Sequence, residues 1–157
     1  MSNYTALINE LLKVIKPTSA TYHTEKVIID FLSDNDVENA VVIAKKIKSN
    51  KEFLSLLADG LISYDGFEKE AVELLKIAEE QIGEDRATCI LLKYIGPDGV
   101  NRRLYKNVPI EVLKACSISS MIMFMEYAIK MEYAIKKEKN SNIESWFNIL
   151  KEKIEES

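Results

Sequence analysis

The chain has 157 residues, of which 47% are hydrophobic and 29% charged, with five glycines and three prolines. A chain this long can bury roughly 70% of its unfolded surface, enough for one globular core, and the composition is that of a globular domain, far from a disordered one. The net charge of −4 excludes a protein that coats nucleic acid through its overall charge, leaving only a local basic patch for such contact.

So little turn punctuation leaves few places for β-hairpins and points to long helices joined by short loops. The two cysteines, Cys89 and Cys116, have no metal-ligand spacing and sit in apolar helical stretches. They read as buried free thiols of a reducing compartment. The start of the chain shows no basic segment followed by an apolar run, so no signal peptide is expected. The longest wholly apolar runs, Ala40–Ala44 and Met121–Met125, fall far short of the ~18 residues that span a membrane. The expected setting is cytoplasmic, without membrane contact.

In chain order, the first helix is expected from Asn3 to Lys16, with Leu7, Ile8, Leu11, Leu12 and Ile15 as one apolar stripe. Pro17 stops it. Thr18, Ser19 or Thr21 can cap the second helix, which turns Val27, Ile28, Phe31 and Leu32 inward. Ser33–Asp36 ends that helix and caps the third, where Val37, Ala40, Val41, Ala44 and Ile47 repeat. After a break at Ser49 and Asn50, the fourth helix carries Phe53, Leu54, Leu57 and Leu61. Asp65 with Glu68 is a capping-box-like start for the fifth, whose stripe is Ala71, Leu74, Leu75, Ala78 and Ile82. Gly83 suits the left-handed residue that closes it.

A sixth, shorter helix from Asp85 to Tyr94 buries Ala87, Ile90 and Leu91. Gly96-Pro97-Asp98-Gly99 is the strongest turn signal, and Val100–Val108 has only a weak helical pattern. Pro109 then opens the longest periodic segment, expected as one helix to Glu138. Around Met121–Met125 it is apolar on every side, which predicts a central position and makes core a simpler reading of the methionines than a partner groove. The five residues Glu126–Lys130 recur at Glu132–Lys136, six positions on, so the copies point in different directions. Ser141 with Glu144 caps a last helix with Ile143, Trp146, Phe147, Leu150 and Ile154 as its stripe.

A shift of 34 residues lays Val37, Ala40, Val41, Ile43 and Ala44 on Ala71, Leu74, Leu75, Ile77 and Ala78. That period suits helical-hairpin repeats, but the tryptophan-leucine-glycine-tyrosine pattern of tetratricopeptide units is missing. The expected fold is all-α, with seven to eight helices in an irregular antiparallel bundle or a short stack of helical hairpins around the long helix 109–138. It forms a single domain, 1–157: hairpins over 3–95, a connector over 96–108, then the long helix and the C-terminal helix over 109–157.

Chemistry is sparse. His23, the only histidine, lacks the further Cys or His ligands that zinc needs, and no Glu-x-x-His pair suggests a carboxylate-bridged metal. Phosphate-cradling glycine loops, nucleophile elbows and kinase signatures are missing. No catalytic set, metal or cofactor is therefore expected.

The one irregularity is where the arginines lie. Against 18 lysines there are three arginines, Arg86, Arg102 and Arg103, within 18 residues of one another. Lys93, Tyr94, Tyr105 and Lys106 join them, and guanidinium forks beside tyrosine faces suit phosphate contact and base stacking. The competing reading folds this basic stretch onto the acidic segment Asp65–Asp85 as intramolecular ion pairing. Trp146 and Phe147, adjacent aromatics on the last helix, are the candidate partner interface. The expected function is a non-enzymatic interaction protein, a small adaptor or subunit of a larger assembly, with a protein partner or a second copy bound. The alternative is a small helical subunit of a nucleic-acid-processing complex that contacts phosphates through Arg86, Lys93, Arg102, Arg103, Tyr105 and Lys106.

Overall fold

A computed structural model of the chain describes residues 3–47, 49–64, 66–95, 107–135 and 142–157. Those residues form nine helices and no strand: α1 Thr5–Val14, α2 Tyr22–Ser33, α3 Val37–Ile47, α4 Lys51–Ile62, α5 Glu68–Glu79, α6 Glu84–Ile95, α7 Ile110–Ala115, α8 Ile118–Ile135 and α9 Asn142–Glu156. Among them, no helix is long and apolar enough to cross a membrane. They group into two compact units, Met1–Gln81 and Ile82–Ser157.

In the first unit α2 packs against α3 and α4 against α5, with α1 lying on α4. Short connections fold each pair back on itself. Asp36 caps α3 by accepting the Asn39 amide at 3.2 Å, and Asn50 caps α4 by accepting the Glu52 amide at 2.9 Å. These side chains satisfy amide donors that the first turn of a helix leaves open. The expected stripes of α3, α4 and α5 are buried at Val37, Ala40, Val41, Ala44, Phe53, Leu54, Leu57, Leu61, Ala71, Leu74, Leu75 and Ala78. Four positions matched by the 34-residue shift, from Val37/Ala71 to Ala44/Ala78, are therefore buried on both helices. Lys45 bridges α3 to Glu73 of α5 at 2.7 Å, a half-exposed pair worth under about 1 kcal/mol.

Several local expectations are corrected. On α2 the inward face is Glu25, Ile28, Ile29 and Leu32, while Val27 is 42% exposed. Thr21 precedes α2 but its hydroxyl donates to Glu25 Oε1 at 2.9 Å instead of capping an amide. Leu12 and Ile47 also face outward. The left-handed residue after α5 is Glu80, at φ 64, rather than Gly83. Gly83 instead opens α6, its carbonyl accepting the Ala87 amide. Asp65, the expected cap of α5, lies outside the described residues.

In the second unit α6 packs on α7 and α8, and α9 packs on α7 and α8. The expected continuous helix from Pro109 is broken. Cys116 is extended (φ −71, ψ 166), separating α7 from α8. Ser117 supplies the reason: its hydroxyl accepts the Ser120 amide at 3.1 Å and so caps α8. Pro109 stands one place before the helix, as the extended N-cap of α7. Nor is α8 apolar on every side in its surroundings. Met121, Phe124, Met125 and Ala128 are buried, whereas Ile122 and Met123 are more than 40% exposed.

Gly60 sets how closely α1 approaches α4. A Cβ there would lie against the Leu7 side chain, well inside contact distance. Replacing Gly60 with alanine gains up to ~1 kcal/mol of helix propensity but crowds Leu7, an overpacking cost of roughly 1–3 kcal/mol. Gly60→Ala is expected to lower the stability measured by urea unfolding. Adding Leu7→Ala should then cost less in that background than in the original chain; additive losses would contradict the contact.

Candidate functional site

Helix α9 has two apolar stripes, and they have different fates. Trp146 is 2% exposed and Ile149 8% exposed, and the Trp146 ring lies 4.9 Å from that of Phe124 on α8, tilted by 60°. Seven residues after Trp146, and so on the same side of the helix, Lys153 extends its ammonium to the backbone. It donates to the carbonyls of Lys114 (2.7 Å) and Cys116 (2.5 Å). The first carbonyl belongs to the last turn of α7 and the second to the extended residue that follows it, so the lysine supplies a donor to acceptors at the break, where the helix ladder stops. Trp146, Ile149 and Lys153 together are the side by which α9 is held.

The second stripe is Ile143, Phe147, Leu150 and Ile154, at alternating four- and three-residue steps. Phe147 is 48% and Ile154 51% exposed, while Ile143 and Leu150 are half-buried. The structure thus separates the pair of aromatics expected at an interface: Trp146 belongs to the core and Phe147 to the surface. Glu144 and Lys151, both exposed, border the outer stripe.

Of the expected basic cluster, Arg86 and Lys93 lie two turns apart on one side of α6 and are half-buried. Neither is an unpaired cation. Arg102, Arg103, Tyr105 and Lys106 lie outside the described residues. His23 is exposed at the start of α2, its ring 5.5 Å from that of Tyr22. Among the described residues, no three His, Cys, Asp or Glu side chains converge as metal ligands.

Among the described residues, each unit carries a depression open to solvent. In the first unit, a groove of about 340 Å³ between α1 and α4 is lined mainly by apolar atoms, with Glu10 and Asp59 at its edge. In the second, a cleft of about 490 Å³ surrounds the α7–α8 break, lined by Glu84, Lys114, Ser117, Ser119, Lys153 and Glu156 among others. Its two lysines and two glutamates oppose one another, so it does not present the single sign that selects a charged ligand. Cys116 lies beneath it, 3% exposed, with its thiol donating to the Leu113 carbonyl at 3.4 Å. Burial pushes that thiol above its ordinary value; the Lys153 ammonium opposes the shift and Glu84 adds to it. A protonated thiol of this kind is a structural group, not a nucleophile. Cys89, expected to be buried, is exposed.

No family model, no curated protein and no solved structure matches this chain.

The Lys153 bridge could not be read from the sequence, because its partners lie 37 and 39 residues away. The cap at Ser117 could: a serine three residues before Ser120 at a helix start is a local signal.

Three outcomes follow for Trp146 and the two thiols. Trp146→Ala is expected to cost about 3–5 kcal/mol of stability in urea unfolding, and a loss under 1 kcal/mol would contradict the packing. For the thiols, a maleimide should label Cys89 quickly and Cys116 only on unfolding. Because the folded state raises the Cys116 pKa, its stabilising contribution is complete below the ordinary value of 9.0 and is lost as pH rises through the folded value. Between pH 9.0 and the folded value, stability should therefore fall less steeply in Cys116→Ala than in the unaltered chain.

Proposed function

We propose that this chain is a non-catalytic interaction protein, a small helical adaptor or subunit of a larger assembly, which contacts a protein through the outer face of α9. The observation that carries this reading is the second apolar stripe of that helix. Phe147 and Ile154 stay half-exposed although Trp146 already holds the helix in place, so neither is needed to dock α9. Covering what remains of each side chain is worth on the order of 1 kcal/mol, and large aromatics are the residues on which interfaces concentrate their energy. The packing of α9 on α7 and α8 gives the face a fixed backbone that need not be ordered on binding.

The stripe's spacing supports a helix as what it receives. Apolar residues at alternating three- and four-residue steps form the seam of paired helices, and an amphipathic helix laid along a partner reads through such positions.

The test compares the full chain with Phe147→Glu by cross-linking in the cells that express it, alongside urea unfolding. The variant is expected to stay within about 0.5 kcal/mol of the original stability, as surface changes do, while its cross-linked products fall severalfold. Undiminished products from a folded Phe147→Glu chain would overturn the reading.

A further inference from the structure

We infer that the outer face of α9 pairs with the same face of a second copy of this chain, the two helices running antiparallel. The inference rests on the reading of that face as an interaction surface and names its occupant.

The case begins with the heptad frame. Taking Phe147 and Ile154 as a positions makes Ile143 and Leu150 the d positions, so the seam is apolar at four consecutive core sites. In the same frame Glu144 and Lys151 are the two e positions, both exposed. The g positions are Trp146 and Lys153, which are turned into the unit: Trp146 is buried on Phe124 and Lys153 holds the carbonyls at the α7–α8 break. Only the e flank is therefore open to a partner.

Charge then selects the direction. In an antiparallel pair, with Phe147 layered against Leu150 of the other copy and Ile143 against Ile154, e positions flank e positions. Glu144 of each copy lies beside Lys151 of the other, twice by symmetry. This makes the stripe self-complementary, the requirement for a two-fold interface. In a parallel pair, e positions flank g positions, and Lys151 meets Trp146, which is committed to the core. The antiparallel arrangement is the one in which every open flank position finds an opposite charge.

Size sets the strength. From Ile143 to Ile154 the seam rises about 16 Å along the helix, and two such short faces cover less than the roughly 1,200 Å² of a standard stable interface. The dimer is accordingly weak and concentration-dependent, with exchange on dilution.

The experiment is sedimentation equilibrium on the full chain across the micromolar to millimolar range, with three variants. The unaltered chain is expected to move from 17.9 kDa towards twice that mass as concentration rises, and Phe147→Glu to remain at monomer mass. Glu144→Lys and Lys151→Glu each convert two attractive contacts into two repulsive ones, so each alone should self-associate about tenfold more weakly at low salt. Mixed in equal amounts they regain complementarity, because each lysine again faces a glutamate, and the mixture should recover the association that each has lost. A chain that stays monomeric up to millimolar concentration overturns the inference, as does self-association unaffected by both single charge changes. A monomer whose cross-linking in cells still depends on Phe147 overturns only the second copy as occupant. Cross-linking that ignores Phe147 overturns the interaction reading itself.

Discussion

Trp146 seated on Phe124 fixes the rotation of α9 about its own axis, and the character of the second unit's surface follows from that rotation. A 15-residue helix on its own is marginal in water, so α9 depends on the side it buries. With Trp146 inward, Ile149 and Lys153 must follow, because they share its side of the helix. Phe147 and Ile154, about a quarter-turn further round, are then left outside. Had Phe147 been the docking residue, the exposed stripe would have been a mixture of charge and apolar surface with no consistent seam.

The break between α7 and α8 is joined to the same constraint. An extended residue at Cys116 stops the helix ladder and leaves carbonyl acceptors at the break, a costly arrangement near the core unless a donor reaches them. Lys153 reaches two of them from α9. The lysine therefore serves three elements at once: it closes α7, it ties α9 to the chain segment ahead of α8, and its positive charge stands over the buried Cys116 thiol. Burial still dominates at that thiol, which stays protonated.

Much of the helical pattern was legible because periodicity reports burial directly. The stripes of α3, α4 and α5 could be assigned from spacing, since each is flanked by charged residues that fix its phase. Phase was lost where apolar residues run together. Val27, Ile28 and Ile29 are consecutive, and the true face is marked by Glu25, a buried carboxylate that hydropathy places outside. On α9 the same ambiguity arises, since Trp146, Phe147, Ile149 and Leu150 can be divided into stripes in two ways, and only contact with Phe124 decides. The expected continuous helix from Pro109 breaks because Ser117 caps α8, a short polar signal hidden within unbroken apolar spacing. The arginine cluster was visible as composition, yet of its residues only Arg86, Lys93 and Tyr94 fall within the described positions.

The separation of the two aromatic neighbours can be measured directly, because Trp146 is the only tryptophan in the chain. Iodide quenching of its fluorescence should be compared with that of the transposed chain, Trp146→Phe with Phe147→Trp, at a concentration low enough to keep both monomeric. A shielded indole at 146 and a freely quenched one at 147 is the expected result. Equal quenching at the two positions, or the reverse order, would mean that α9 is rotated differently and that no continuous apolar seam faces solvent.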